Sequence, residues 1–271
     1  RALSLKPNYT MAQAHLNHIR QRLADFSVYN TLVKDSAVLG IATDAVPPWA
    51  ALTWSDDPEL QLLRARRYSA ETHGGPERAP PEGVIAQSDR LRVAYFSADF
   101  HDFPGMHLMA GMLEAHDRDQ FEIFAFSYGP DSDDLMRERI IAAVDHFIDI
   151  RELPTRAVVD ASRELGIDIA IHRNGYTKET RTELFKERLA PVQISYLGYP
   201  GTLGTDFMDY LVADPVVIPS EQRRFYAEKI IYLPNSYQPN DDRRQIAPLN
   251  SVRADHGLPD TGLVLCCFNQ T

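Results

Sequence analysis

The feature that most constrains this chain is a change of rhythm at residue 91. From there to residue 234, seven short runs of aliphatic, aromatic and β-branched residues appear: LRVAYFS (91–97), FEIFAFS (121–127), HFIDI (146–150), IDIAIH (167–172), VQISYLG (192–198), YLVAD (210–214) and KIIYLP (229–234). Each has the length of a strand and is too short for a helix. Stretches with helical periodicity separate the first five, at 105–116, 132–144, 155–165 and 179–189. Strands alternating with helices of that length predict βαβ units: a parallel sheet covered on both faces, with right-handed crossovers. The expected fold class is α/β, a Rossmann-like lobe. Ligands of such sheets bind beyond the carboxyl ends of the strands.

That rule singles out three loops. The segment SADFHDFPGMHLM (97–109) follows the first strand and carries Asp99, His101, Asp102 and His107. His172, Asn174, Tyr176 and Thr177 follow the fourth, and Leu197-Gly198-Tyr199-Pro200-Gly201-Thr202 follows the fifth. Glycines let backbone come close to a ligand, and rigid strand ends aim titratable groups inward. Asp99 also reads as a cap for the helix after it, since Asp is favoured just before a helix start. His15, His18, His73, His116, His146 and His256 read as structural or surface residues.

Several chemistries are excluded. No G-x-G-x-x-G follows the first strand, which disfavours a dinucleotide-dependent dehydrogenase, and there is no P-loop or G-x-S-x-G elbow. The histidines are scattered, with no H-E-x-x-H and no paired C-x-x-C, so no metal is expected. The run 131–134 reads as a solvated helix start. A net charge of −10 argues against nucleic-acid binding, which needs a basic surface to displace counterions. No apolar run reaches the roughly 18 residues of a membrane span, and no leader is visible. Adjacent Cys266 and Cys267 sit in an apolar run and read as buried free thiols in a reducing, cytoplasmic compartment.

Before residue 91 the chain reads as helical. The segment SDDPELQLLRARRYSAE (55–71) has acids and a proline at its start and arginines towards its end, as a capped helix should. At the N-terminus, A-L-x-L-x-P followed by a helix is how tetratricopeptide units join. The expected organisation is a repeat end at 1–26, then a helical junction and linker at 27–82. The Rossmann-like lobe follows at 83–260, and a further lobe starts at 261–271. HGGPERAPPEG (73–83) marks the linker, and LVLCCFNQT (263–271) reads as a buried strand followed by a turn. The chain starts in mid-helix and stops just after a strand, so it is expected to be a piece of something longer.

Six strings in order carry a specific resemblance: LRVAYFSADF with its P-x-x-H loop, HFIDI, NGYTKETR, APVQISYLGYPGTLGTDFMDY, YAEKIIYLP and LVLCCFNQ. Together they resemble the catalytic region of the O-linked N-acetylglucosamine transferases, the bacterial members above all. The resemblance implies a GT-B glycosyltransferase fused to tetratricopeptide repeats. It implies inverting, metal-independent transfer from UDP-N-acetylglucosamine to Ser or Thr of protein acceptors, with no cofactor besides that donor. It further implies that this chain holds the N-terminal, acceptor-side lobe. The nucleotide lobe would follow, with a Lys shortly after FNQ, and the chain alone is expected to be inactive. The repeats are expected to contact other proteins.

Residue by residue, the resemblance assigns Asp99 to proton handling at the acceptor hydroxyl. His107 matches a His four residues beyond the family's loop His, and Phe103 occupies the place of that loop His. Pro104 and Gly105 fall in the sugar pocket, and Leu197, Gly198, Tyr199 and Pro200 in the loop packed on the sugar. His172 stands where many bacterial relatives have an acid, and Trp49 near another expected His. Asp102 and Phe103 complete the candidate substrate contacts. Phe cannot accept a proton, so the base is expected to be His107, His101 or Asp99. An ordinary His value of about 6.5 suits that task. Two alternatives stay open: a sugar- or protein-binding module without turnover, and a transferase with another donor, such as a fucosyl donor.

Overall fold

The computed structural model describes residues 1–75, 89–243, 248 and 250–267. Residues 76–88, which carry most of the expected linker, and the FNQ string lie outside the described residues. The chain divides into two units, 1–241 and 242–271.

Within the first unit, seven strands form one sheet: β1 (Leu91–Ser97), β2 (Phe121–Ser127), β3 (His146–Asp149), β4 (Ile169–His172), β5 (Val192–Ser195), β6 (Tyr210–Ala213) and β7 (Lys229–Tyr232). Their order is β3-β2-β1-β4-β5-β6-β7, and every pairing is parallel. The order reverses direction at β1, between β2 and β4. That is the topological switch point where doubly wound sheets bind ligands.

Period-two alternation divides β1 between two cores. Val93 and Tyr95 pack with Met106, Met109 and Leu113 of α6 (Pro104–Glu114) and Ile140 of α7 (Leu135–Ala142). Ala94 and Phe96 pack on the other face with Val158 and Val159 of α8 (Thr155–Glu164) and Leu184 and Phe185 of α9 (Glu183–Lys186). Both faces are covered, which is why β1 and β2 read as nearly continuous apolar runs.

The helix expected at 179–189 contracts to the four residues of α9. Glu179 and Arg188 adopt positive φ of 59° and 55°, and a left-handed residue ends a helix on either side. Asp134 caps α7 by accepting the Arg137 amide at 2.8 Å.

Ahead of the sheet lie α1 (Ala2–Leu5), α2 (Thr10–Arg22), α3 (Tyr29–Ser36), α4 (Pro48–Ala51) and α5 (Pro58–His73). Asp57 caps α5, accepting the amides of Glu59 and Leu60, with Pro58 at the first helical position. Arg64, fully buried, donates to the carbonyls of Ser36 and Leu39 and so satisfies the end of α3.

In the second unit, a short 3₁₀ turn at Arg253–His256 ends at Gly257 with φ of 64°. The expected strand at its end is not formed, and Cys266 and Cys267 are exposed rather than buried. Leu263 and Leu265 are 87% and 86% exposed. An apolar run becomes a strand only by pairing with a neighbour, and among the described residues of this unit there is none. Among the described residues, no helix is long and apolar enough to cross a membrane.

Candidate active site

Beyond the carboxyl ends of β1, β4 and β5 lies a cavity of about 590 Å³. The β1 loop contributes Asp99, His101, Phe103 and Gly105; the β4 loop contributes Arg173, Thr177, Lys178 and Glu179; the β5 loop contributes Leu197 and Gly198. Trp49, Pro130, Leu108, Tyr237 and Gln238 close the rest of the wall.

The floor is a charged network. Asp99 does not cap α6: Phe103 occupies the cap position, with no side-chain bond. Instead Asp99 Oδ2 accepts Nη1 of Arg173, in an ion pair whose guanidinium is 3% exposed, and Nδ2 of Asn174 at 2.9 Å. Asn174 Oδ1 in turn accepts from Ser97 Oγ, the Ala98 amide and Tyr128 Oη at 3.0–3.1 Å. Burial pushes the Arg173 guanidinium below its usual range, and the Asp99 carboxylate opposes that shift.

The β4 and β5 loops meet at close range. A Cβ on Gly198 would overlap the Arg173 carbonyl, so this position admits no side chain. Leu197 beside it has a φ of 71°. Further along, Thr202 Oγ1 and the Leu203 amide both donate to Glu228, at 2.6 and 2.7 Å. Burial pushes the Glu228 carboxyl up, and these bonds work against that.

Other residues expected at the site stand elsewhere. His107 lines a neighbouring depression with Asp133, Asp134 and Glu138, and its Nε2 lies 2.8 Å from the exposed Asp102. It therefore does not face the cavity. His172 has no exposed surface at all. It pairs with Thr182 Oγ1 at 2.9 Å and stacks on Phe185 at 4.4 Å. Burial drives its pKa down to about 3. A neutral imidazole enclosed this way is a core residue, not a wall of the site. Tyr199 is buried among Trp49 and Tyr176, and with the exposed Pro200 it lines a separate apolar pocket of about 300 Å³. Pro104 is the exposed first residue of α6.

Sequence reasoning passed over Arg173, although a cation directly after an apolar strand is a visible signal. It also passed over Tyr237 and Gln238, which arrive from the segment after β7 and carry no local signal. Among the described residues, no group of three or more His, Cys, Asp or Glu side chains could hold a metal.

Known proteins fit this picture. Residues 73–251 match the model of glycosyl transferase family 41. A probable UDP-N-acetylglucosamine–peptide N-acetylglucosaminyltransferase SEC of Arabidopsis thaliana is 34% identical over 241 residues, covering 83% of this chain and 25% of that protein. A UDP-N-acetylglucosamine–peptide N-acetylglucosaminyltransferase of Caenorhabditis elegans is 34% identical over 166 residues, covering 61% of this chain and 14% of that protein. The chain thus spans a quarter or less of the length of these relatives. A solved structure of a mutant O-GlcNAc transferase from Thermobaculum terrenum superposes with a TM-score of 0.67 at 25% identity, covering 91% of this chain and 42% of that one. With a parallel sheet in Rossmann order and a family match over two thirds of its length, the chain belongs to glycosyl transferase family 41.

Proposed function

We propose that the protein transfers N-acetylglucosamine from UDP-N-acetylglucosamine to Ser or Thr hydroxyls of proteins, and that this chain supplies the acceptor-side lobe. The observation that carries the reading is the cavity at the switch point, where a hydrogen-bonding carboxylate and an imidazole stand beside apolar walls. Its curated relatives bear the name of that activity.

The reaction is a single inverting displacement without a metal. The acceptor oxygen attacks the anomeric carbon, and the bond from that carbon to the diphosphate oxygen breaks. The electron pair leaves with UDP, and the acceptor proton passes to the protein. Asp99 orients the hydroxyl. His101, on the cavity wall, takes the proton, since His107 faces another depression and Phe103 has no acceptor. A second lobe binds the nucleotide, and the helices before the sheet contact protein partners. The protein works in the cytoplasm and needs no cofactor beyond its donor.

The test uses the full-length protein with UDP-N-acetylglucosamine and a mixed protein acceptor, following UDP release and mass gain on Ser and Thr. Asp99→Ala and His101→Ala are expected to lower kcat by about 100-fold or more, the usual scale of a lost general base or orienting group. His107→Ala should stay within about threefold, as befits a group outside the transition state. Donor binding without turnover in the wild type would instead support a binding module, the reading that Phe103 favours. Turnover with a fucosyl donor alone would move the substrate class.

A further inference from the structure

Several oddities of the loop after β1 converge on one side chain. Phe103 stands where a polar residue is expected, Gly105 sits in the first turn of a helix, and Asp99 caps nothing. All three touch Arg173. Its guanidinium pairs with Asp99 through Nη1 and lies 5.9 Å from the centre of the Phe103 ring. Its Nε donates to Met109 Sδ at 3.2 Å. A Cβ on Gly105 would overlap its Nη2, so a side chain at 105 would press the guanidinium away from its present place against Asp99. Burying a cation this deeply is unfavourable unless it is well paired, and this one is paired with a carboxylate on the cavity floor.

The pairing is one-sided. Arg173 and Asn174 both donate to Oδ2 of Asp99. Among the described residues, Oδ1 accepts no hydrogen bond, and Asp99 lines the cavity.

We propose that Arg173 is the positioning residue of this site: it fixes Asp99 so that Oδ1 is presented to a substrate hydroxyl, with Gly105 and Phe103 shaped to admit the guanidinium. This rests on the sugar-transfer reading above. Arg173 lines the cavity but is 3% exposed, with its guanidinium turned to Asp99. It acts through the carboxylate, so its effect must vanish when the carboxylate is gone.

The experiment removes the guanidinium by two routes in the full-length protein. Arg173→Met deletes it, and Gly105→Ala displaces it while placing a better helix former in α6. Both are expected to lower kcat by about 10–100-fold, the scale of a misplaced orienting group, with the donor KM changed less than about threefold. Arg173→Lys, which keeps a cation, should recover a large part of the loss. In an Asp99→Asn background, neither change should lower kcat further, because residues acting as one unit are non-additive. Thermal midpoints keep a folding failure apart from a site effect: Gly105→Ala is expected to lower the midpoint, since it unpairs a buried cation, but to leave a folded protein at the assay temperature. A folded Gly105→Ala with wild-type kcat, or losses that add to that of Asp99→Asn, overturn the proposal. If the wild type shows no turnover, the transfer reading fails, and the same variants are read by calorimetry with N-acetylglucosamine. Affinity lost in both variants and not lost again in the Asp99→Asn background supports the positioning role. Unchanged affinity overturns it.

Discussion

Two of the three histidines that the sequence brackets with this site have opposite fates, and burial decides both. His107 stays half-exposed beside Asp102, whereas His172 is enclosed between Phe185 and Thr182. A strand residue can be placed near a site from sequence, because the strand end is legible. Which way its side chain points is not, because that depends on the register of β4 against β1, where His172 sits opposite Phe96. Arg173 shows the same limit: its importance comes from a partner 74 residues away. The enclosure of His172 has a consequence for stability. Its folded pKa is driven to about 3, against about 6.5 when unfolded. Between those values the unfolded chain binds a proton that the folded chain does not. Stability therefore falls as the pH drops below 6.5, by about 1.4 kcal/mol per pH unit from this group. Urea unfolding at pH 7.5 and 5.0 should show His172→Gln less stable than wild type at pH 7.5. The variant should also be less sensitive to acid, by about 2 kcal/mol between the two conditions. Equal acid sensitivity in both proteins would count against a neutral, enclosed imidazole.

At the scale of elements, the strand positions were legible to within a few residues because the first five runs alternate with helical stretches and all seven are bounded by turn residues. The misses have local causes. Left-handed residues cut α9 short, and the apolar run at 263–267 has no described strand beside it. The strap after β7 was not legible at all, since its path is set by distant partners. The Tyr237 amide donates to Asp214 Oδ2 at 2.9 Å, and Tyr196 Oη donates to the Tyr237 carbonyl at 2.8 Å. Arg139 of α7, bidentate on Glu114, reaches Asp241 Oδ2 at 2.6 Å. These bonds carry Tyr237 and Gln238 to the cavity wall. Arg139→Met removes the last of them and takes the cation away from two carboxylates, which should cost about 1–3 kcal/mol. Hydrogen exchange over 233–241 is expected to accelerate at least tenfold, the kinetic equivalent of about 1.4 kcal/mol in local opening. The sheet strands should keep their protection. Unchanged exchange in the strap would mean that the Arg139–Asp241 pair does not hold it.

Residues 1–241 form one compact unit, in which the helices before residue 91 pack on the sheet that follows. The seam is aromatic. Tyr68 of α5 meets Tyr176 edge-on at 5.0 Å, and His73 stacks on Tyr176 at 6.1 Å and meets Phe207 at 6.2 Å. Lys186 Nζ donates to the Gly74 carbonyl at 2.6 Å. Tyr176 sits in the loop after β4, so the helical segment is anchored on the same loops that build the cavity, and Trp49 of α4 joins its wall. Opening this seam would expose the buried Tyr176 and Phe207 and the half-buried Tyr68 and His73, so helices and sheet should unfold together. The two tryptophans, Trp49 and Trp54, both lie in the helical segment, and Trp49 also packs against Tyr199 of the β5 loop, so their emission reports on the helices and their contact with the sheet loops. Tryptophan emission in urea and the loss of amide protection in β1 and β4 are expected to share one midpoint, as two-state unfolding requires. Tyr176→Ala opens the seam from the sheet side. It should lower both midpoints together, at a cost of about 3 kcal/mol, the scale of a truncated buried aromatic. If the tryptophan transition moved to lower urea while β1 and β4 kept their protection, the helices would be a separate unit resting on the lobe. The cavity would then have a movable wall at Trp49 rather than a fixed one.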